Sequence, residues 1–365
     1  MITYSTLPFD VVHHICSSVY RLDHKTLCNL SVANKQTRVA CIPFLFEGII
    51  FDKQWGEGDI PWDGVSDSIE VLLKQSEILN AVRSFHLQPW VRNPEGSPIP
   101  SAFFKLLFSL PNLEHVAILL QAHFHDQVKS EFGFNIEELT QSQPKLLPTV
   151  HSLRIPSPAW MFISDCSPNL TTLDITHAST TNWPSHETPE LNIVQLGKTH
   201  PKLEELHCAL TGVADTIKEI AHNIPRIQCL GLGGYGYREP NGIMDHIHAY
   251  SHFKHLESLS IPGPAELGMG FYPPRCGNAY FSNPGLREKV AKQSRDTVER
   301  VMRGFEAEII SGCGLPLREV MVGTKSWGSQ TMWEKGDDGK LHRSKIVERS
   351  RRTTKVVKLT EVDDA

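Results

Sequence analysis

Three glycines in the stretch CLGLGGYGYREP, namely Gly231, Gly233 and Gly236, stand at the G-x-G-x-x-G spacing of a turn that cradles a pyrophosphate. That chemistry needs a strand before the glycines and a helix after them, so that the helix N-terminus faces the anion. Leu230 and Leu232 supply the strand, but Pro240 and Gly242 arrive where the helix should begin. The spacing therefore does not predict a dinucleotide site. Gly231 and Gly233 are expected instead to bare the backbone on one face of a strand, leaving room for a ligand or a neighbouring loop.

Histidines are the other candidates for chemistry. His248, His252 and His255 would share one helix face, nominally a zinc-binding arrangement, but no carboxylate or cysteine partner is evident beside them. His123 and His125 form the H-x-H of metal-dependent hydrolases, yet later strands offer no further ligands in sequence order. No G-x-S-x-G elbow, P-loop or zinc-finger spacing occurs. The reading is a non-catalytic chain with no cofactor and no metal.

The elements around these residues are more informative. Val11, Val12, Ile15 and Val19 recur at helical spacing after Leu7-Pro8, and a second helical run carries Leu27, Leu30, Val32 and Ala33. From there one pattern returns, Pro-x-apolar-x-x-apolar-x-apolar, in LPNLEHVAI, LPTVHSLRI, SPNLTTLDI, HPKLEELHC and IPRIQCLGL. Looser copies are NAVRSFHL, FKHLESLSI and LPLREVMV. Their first apolar anchors are Val82, Leu113, Val150, Leu170, Leu203, Ile227, Leu256 and Leu317, with Phe46 before them.

Several connections carry helical periodicity, as in Ile217, Ile220 and Ile224, or in the run that Asn283-Pro284 opens. Strand, helix and strand without returning hairpins predict an α/β fold with a parallel sheet backed by helices. The Gly336–Gly339 turn predicts a terminal hairpin that covers the last sheet edge.

The totals set the class. A formal charge of −5 over 365 residues gives no global attraction to nucleic acid or membrane, the basic segment 340–358 being a local exception. That segment is interleaved with Ile346, Val347, Val356 and Val357, which fits a solvated strand face. Eight scattered cysteines without a C-x-x-C pair fit reduced thiols in the cytoplasm or nucleus. No secretory leader and no membrane-spanning run are read.

Leu7-Pro8, the apolar run to Val19, and Leu27, Leu30, Val32, Ala33, Asn34 and Lys35 together resemble an F-box. The recurring strand pattern of the later residues resembles the irregular leucine-rich repeats of fungal-type F-box proteins. The resemblance implies an F-box at 1–50, a leucine-rich-repeat solenoid at 51–325, and a C-terminal cap or hairpin with a basic tail at 326–365. It implies that the F-box docks on the Skp linker subunit, and through it cullin, in an SCF ubiquitin ligase. Leu7, Pro8, Ile15, Leu27, Leu30 and Val32 would then divide between the module's own core and the linker interface.

The repeats would hold a protein substrate of unknown identity. Alternation along the strands sends Ser152, Arg154, Thr172, Asp174, Glu205, His207, Gly231, Ser260 and Met321 to one face, the expected substrate surface. The loop around Phe271 and Tyr272 would lie over it. The alternative is a stand-alone repeat scaffold with no ligase partner.

Overall fold

A computed structural model describes residues 7–52, 54–55, 62, 64–88, 90–91, 98–119, 124–132, 146–155, 160–176, 193–209, 214–233, 242–271, 282–323 and 331–344. Gly236, His123, Tyr272 and the basic tail beyond residue 344 lie outside them. The chain divides into two compact units, one reaching Asn169 and one starting at Leu170.

The first unit begins with three helices, α1 (Phe9–Leu22), α2 (His24–Ser31) and α3 (Lys35–Leu45). Pro8 caps α1, and its carbonyl accepts from the amides of Val11 and Val12. Asp23 caps α2 by accepting from the Lys25 and Thr26 amides at 3.1 and 2.9 Å. Asn34 opens α3 with a reciprocal capping box: its side chain accepts from the Thr37 amide at 2.9 Å, and its own amide donates to the Thr37 hydroxyl at 3.2 Å.

The three helices close around Val12, Cys16, Leu27, Ala40, Cys41 and Leu45. Cys16 and Cys41 are free thiols with sulfurs 3.4 Å apart. Burial, helped by contact with Cys16, pushes the Cys41 thiol up to about 12. Both act as packing atoms here, as small apolar side chains do.

The rest of this unit is strand and helix. β1 (Gly48–Phe51), β3 (Ser84–Leu87), β5 (His115–Ile118) and β6 (Ser152–Arg154) lie parallel in that order. A small separate pair joins β2 (Gln54–Trp55) to β4 (Trp90–Val91). Ile49, Phe85, Val116 and Leu153 stand in one register row, all buried. The connections carry α4 (Val65–Leu72), α5 (Ser76–Ala81), α6 (Ser101–Phe108), α7 (His125–Glu131) and α8 (Trp160–Asp165). α6 buries Phe103, Phe104, Leu106 and Leu107, an apolar stripe wide enough for a core-facing helix.

The second unit repeats the scheme. β7 (Thr172–Asp174), β8 (Glu205–Ala209), β9 (Cys229–Gly233), β10 (Ser258–Ile261) and β11 (Glu319–Val322) run parallel. β12 (Thr331–Lys335) then returns antiparallel on β11, and β13 (Leu341–Arg343) antiparallel on β12. The central row is Leu173, Leu206, Leu230, Leu259, Val320 and Trp333, every one buried.

Its connections are α9 (Ile193–Thr199), α10 (Ala214–Asn223), two 3₁₀ segments (Gly242–Asp245 and Ile247–His252) and the long α11 (Pro284–Phe305). A π turn, Glu306–Ser311, extends α11. α9, α10, the second 3₁₀ segment and the π turn pack one on the next, in chain order. Asn283 caps α11 by accepting from the Leu286 amide at 3.1 Å, with Pro284 in the first turn.

One hydrogen-bond device recurs where neighbouring parallel strands of the long sheet begin. The carbonyl of Glu47 accepts from two successive amides, those of Arg83 and Ser84. Arg83 and Glu114 repeat it in the first unit, and Thr171, Glu204, Gln228 and Glu257 in the second. The shared acceptor fixes the register of each strand on its neighbour. The sequence anchors sit just ahead of it, and Val82, Leu113, Val150, Leu170, Leu203, Ile227, Leu256 and Leu317 are all essentially inaccessible. The architecture is thus mixed α/β with parallel-rich sheet. Among the described residues, no helix is long and apolar enough to cross a membrane.

Candidate functional site

The helical head leaves several large apolar side chains uncovered. Eight large hydrophobic side chains are exposed among the described residues, and five belong to the head: Phe9, Val11, Leu22, Val32 and Val39. Val32 is 83% exposed and Leu22 is 85% exposed. Of the residues that the sequence singled out, Leu27 is wholly buried in the head's core. Leu7 and Leu30 pack half-buried against it, and the Leu7 carbonyl accepts from Gln36 Nε2 at 2.9 Å. Ile15 is half-buried, while Pro8 and Val32 face solvent. Leu27 is thus a core residue, and Pro8 and Val32 are free to meet a partner.

Of the residues assigned to the sheet face, Ser152 and Arg154 lie in the first unit, both half-buried. The other seven lie in the second unit and fall into two register rows. One row holds Thr172, Glu205, Cys229, Ser258, Glu319 and Glu334. These are half-buried, except Glu334, which is exposed. Thr172 Oγ1 donates to Glu205 Oε2 at 3.4 Å, and Ser258 Oγ to Glu319 Oε1 at 2.6 Å. The other row holds Asp174, His207, Gly231, Ser260 and Met321, all buried, and ends on the half-buried Met332. Asp174 accepts from the amide and the hydroxyl of Thr176. Alternation fixes which side of a sheet a residue faces, not whether that side reaches water. Here the first row does along its length, and the second only at Met332.

The glycine question resolves in this buried row. A Cβ on Gly231 would lie 1.9 Å from His207 Nδ1, so the missing side chain is replaced by an imidazole from the adjacent strand. The space at Gly231 is filled by the protein itself, by a side chain rather than by the ligand or loop that the sequence left open.

His207 is 4% exposed. Its Nε2 lies 2.6 Å from Glu205 Oε1 and 3.9 Å from Cys229 Sγ. Cys229 was missed at the sequence level as a member of this face, although it shares the parity of Gly231. What was missing was the register that sets it opposite Glu205. Close by, burial with help from Asp174 pushes the Cys208 thiol upward, keeping it neutral.

Among the described residues a second set also brings three donor groups together: Glu114, His115 and His151, in the first unit. The two rings stand 4.7 Å apart, His115 is exposed, and Glu114 pairs with Arg83 at 3.7 Å. Among the described residues His248, His252 and His255 do not form a three-donor group, although the His248 and His252 rings meet edge to face with centroids 6.1 Å apart. Ile247–His252 is a 3₁₀ segment, and His255 lies beyond its end. His125 is on α7, but its side chain lies outside the described residues. Compared with protein-family models and with curated proteins, the chain matches none.

Proposed function

We propose that this chain is the substrate-receptor subunit of an SCF-type ubiquitin ligase, with an F-box head and an irregular leucine-rich-repeat body. One observation carries the reading: a three-helix head complete in its own core still leaves Phe9, Val11, Leu22, Val32 and Val39 at the surface. Large apolar side chains left exposed on a small module whose own core is filled are contacts that a protein partner can cover. The leucine-proline opening and leucine-rich second helix match the motif of modules that dock on the Skp linker.

The repeating strand units with a shared-carbonyl register support the body's assignment to leucine-rich repeats. Its half-buried polar row, Thr172, Glu205, Cys229, Ser258 and Glu319, is the surface offered to a substrate. Such a receptor supplies no acid or base. It raises the effective concentration of a substrate lysine beside the charged conjugating enzyme.

Co-purification with the linker subunit tests the reading. Val32→Asp and Val11→Asp remove exposed apolar contacts without touching the head's core. Each is expected to weaken binding by about 2 kcal/mol or more, which is over tenfold, with an unchanged circular dichroism spectrum. Binding that survives both substitutions removes these residues from the interface. Wild-type protein that never captures the linker leaves a repeat scaffold without a ligase.

A further inference from the structure

We infer that Glu205, His207 and Cys229 form a binding site for a divalent transition-metal ion of the zinc class. One carboxylate oxygen, one imidazole nitrogen and one thiol sulfur lie within 4.8 Å of one another. They project from two adjacent parallel strands in fixed register, Glu205 directly opposite Cys229, with His207 two residues along. Oxygen, nitrogen and sulfur donors together suit zinc better than the harder magnesium or calcium ions.

The way the three groups meet separates a metal site from a catalytic relay. In an acid–base–nucleophile relay the carboxylate holds one imidazole nitrogen and the nucleophile meets the other. Here both approach Nε2, at 2.6 Å for the carboxylate and 3.9 Å for the sulfur. Nδ1 is turned away, over Gly231. Convergence of three donors around one point is what an ion requires. Metal bonds of about 2.0–2.3 Å place tetrahedral ligands about 3.3–3.8 Å apart, so the two contacts to Nε2 need adjust by under about 1 Å and the carboxylate and thiol, within 4.8 Å of each other, must draw together.

Gly231 is the element that preforms the site, because any side chain there would expel the ring from its place. Among the described residues the set has three donors, the number of protein ligands in sites where an ion also meets water or a ligand. Half-buried Glu205 and Cys229 give the ion a way in past the buried histidine. Binding converts the Cys229 thiol to thiolate and releases its proton to solvent.

Cobalt(II) is the probe, because a cobalt–thiolate bond gives a charge-transfer band in the near ultraviolet. The full chain, stripped with a chelator and kept reduced, is titrated with cobalt(II) and then with zinc(II). The expected result is a band that saturates at one equivalent and is bleached by zinc. Cys229→Ser should abolish the band. Glu205→Gln, at a half-exposed position and of the same shape, should keep it but weaken binding by about tenfold or more, as should Gly231→Ala. A wild-type protein with no band overturns the assignment. So does a band that survives Cys229→Ser, which would place the ion on another thiol, and so does unchanged affinity in Glu205→Gln.

Discussion

Gly231→Ala adds one methyl group to a strand at a point where none fits. Its carbon would lie 1.9 Å from His207 Nδ1 and 2.8 Å from the ring's Cγ and Cε1, against ordinary carbon contacts of about 3.5–4.0 Å. The ring cannot move without cost, being 4% exposed and held at Nε2 by Glu205. Forcing an extra methyl into packed space costs about 1–3 kcal/mol. Breaking a hydrogen bond to a charged group costs about 1.5–3 kcal/mol. The two overlap, since rotating the ring away relieves the clash by giving up the bond, so a loss of about 2–4 kcal/mol is expected.

In a His207→Ala background the same methyl meets no ring, and alanine within a strand is favoured over glycine by roughly 0.5–1 kcal/mol. The pair should therefore couple by about 2 kcal/mol or more. Urea unfolding of wild type, both single variants and the double variant, followed by circular dichroism, measures that coupling. Effects that add to within about 0.5 kcal/mol would mean that the imidazole does not lie over Gly231.

Other expectations concern the head. Asn34→Ala removes the α3 capping box and should lower stability by about 1 kcal/mol in the same urea assay, with Asn34→Gly losing less. Leu27→Ala should cost about 2–5 kcal/mol, because the side chain is wholly buried, whereas Val32→Ala at an 83% exposed position should fall within about 0.5 kcal/mol. Tyr20 gives a pH signature. Burial, and then its 2.8 Å hydrogen bond to Glu47, push its phenol from 10.0 up to about 12. The folded state holds that proton more tightly than the unfolded chain, so this contribution is intact below pH 10 and is lost as pH rises towards 12. Tyr20→Phe should flatten that part of the alkaline stability curve, and an unchanged slope would refute the assignment.

Much of the fold can be read directly from the chain, for a local reason. A strand's inward and outward sides differ by a two-residue alternation, so Leu173, Leu206, Leu230 and Leu259 each announce themselves as inward-facing without knowledge of their neighbours. The same holds for Asn283-Pro284 ahead of α11, where cap and first-turn proline are chemistry within one turn of helix. The terminal β12–β13 pair is set by its glycine turn in the same way. Failures came where local rules had two outcomes. DHIHAYSHFKH has helical spacing, but its chain tightens to a 3₁₀ segment that ends at His252, so His248 and His252 still meet while His255 falls outside the helical run.

The sequence by itself determined which residues point to which side of each strand, and that a leucine-rich helical head precedes the strands. Only the tertiary structure decided the register between strands, and with it the meeting of Glu205, His207 and Cys229 over a bare Gly231. Register is set by carbonyls such as that of Glu204, which receives two amides from the next repeat, and by packing of the helical connections. These are interactions between segments far apart in the chain. A slip of one residue would turn every side chain of a strand to the opposite face, and nothing in a single strand's own composition forbids it.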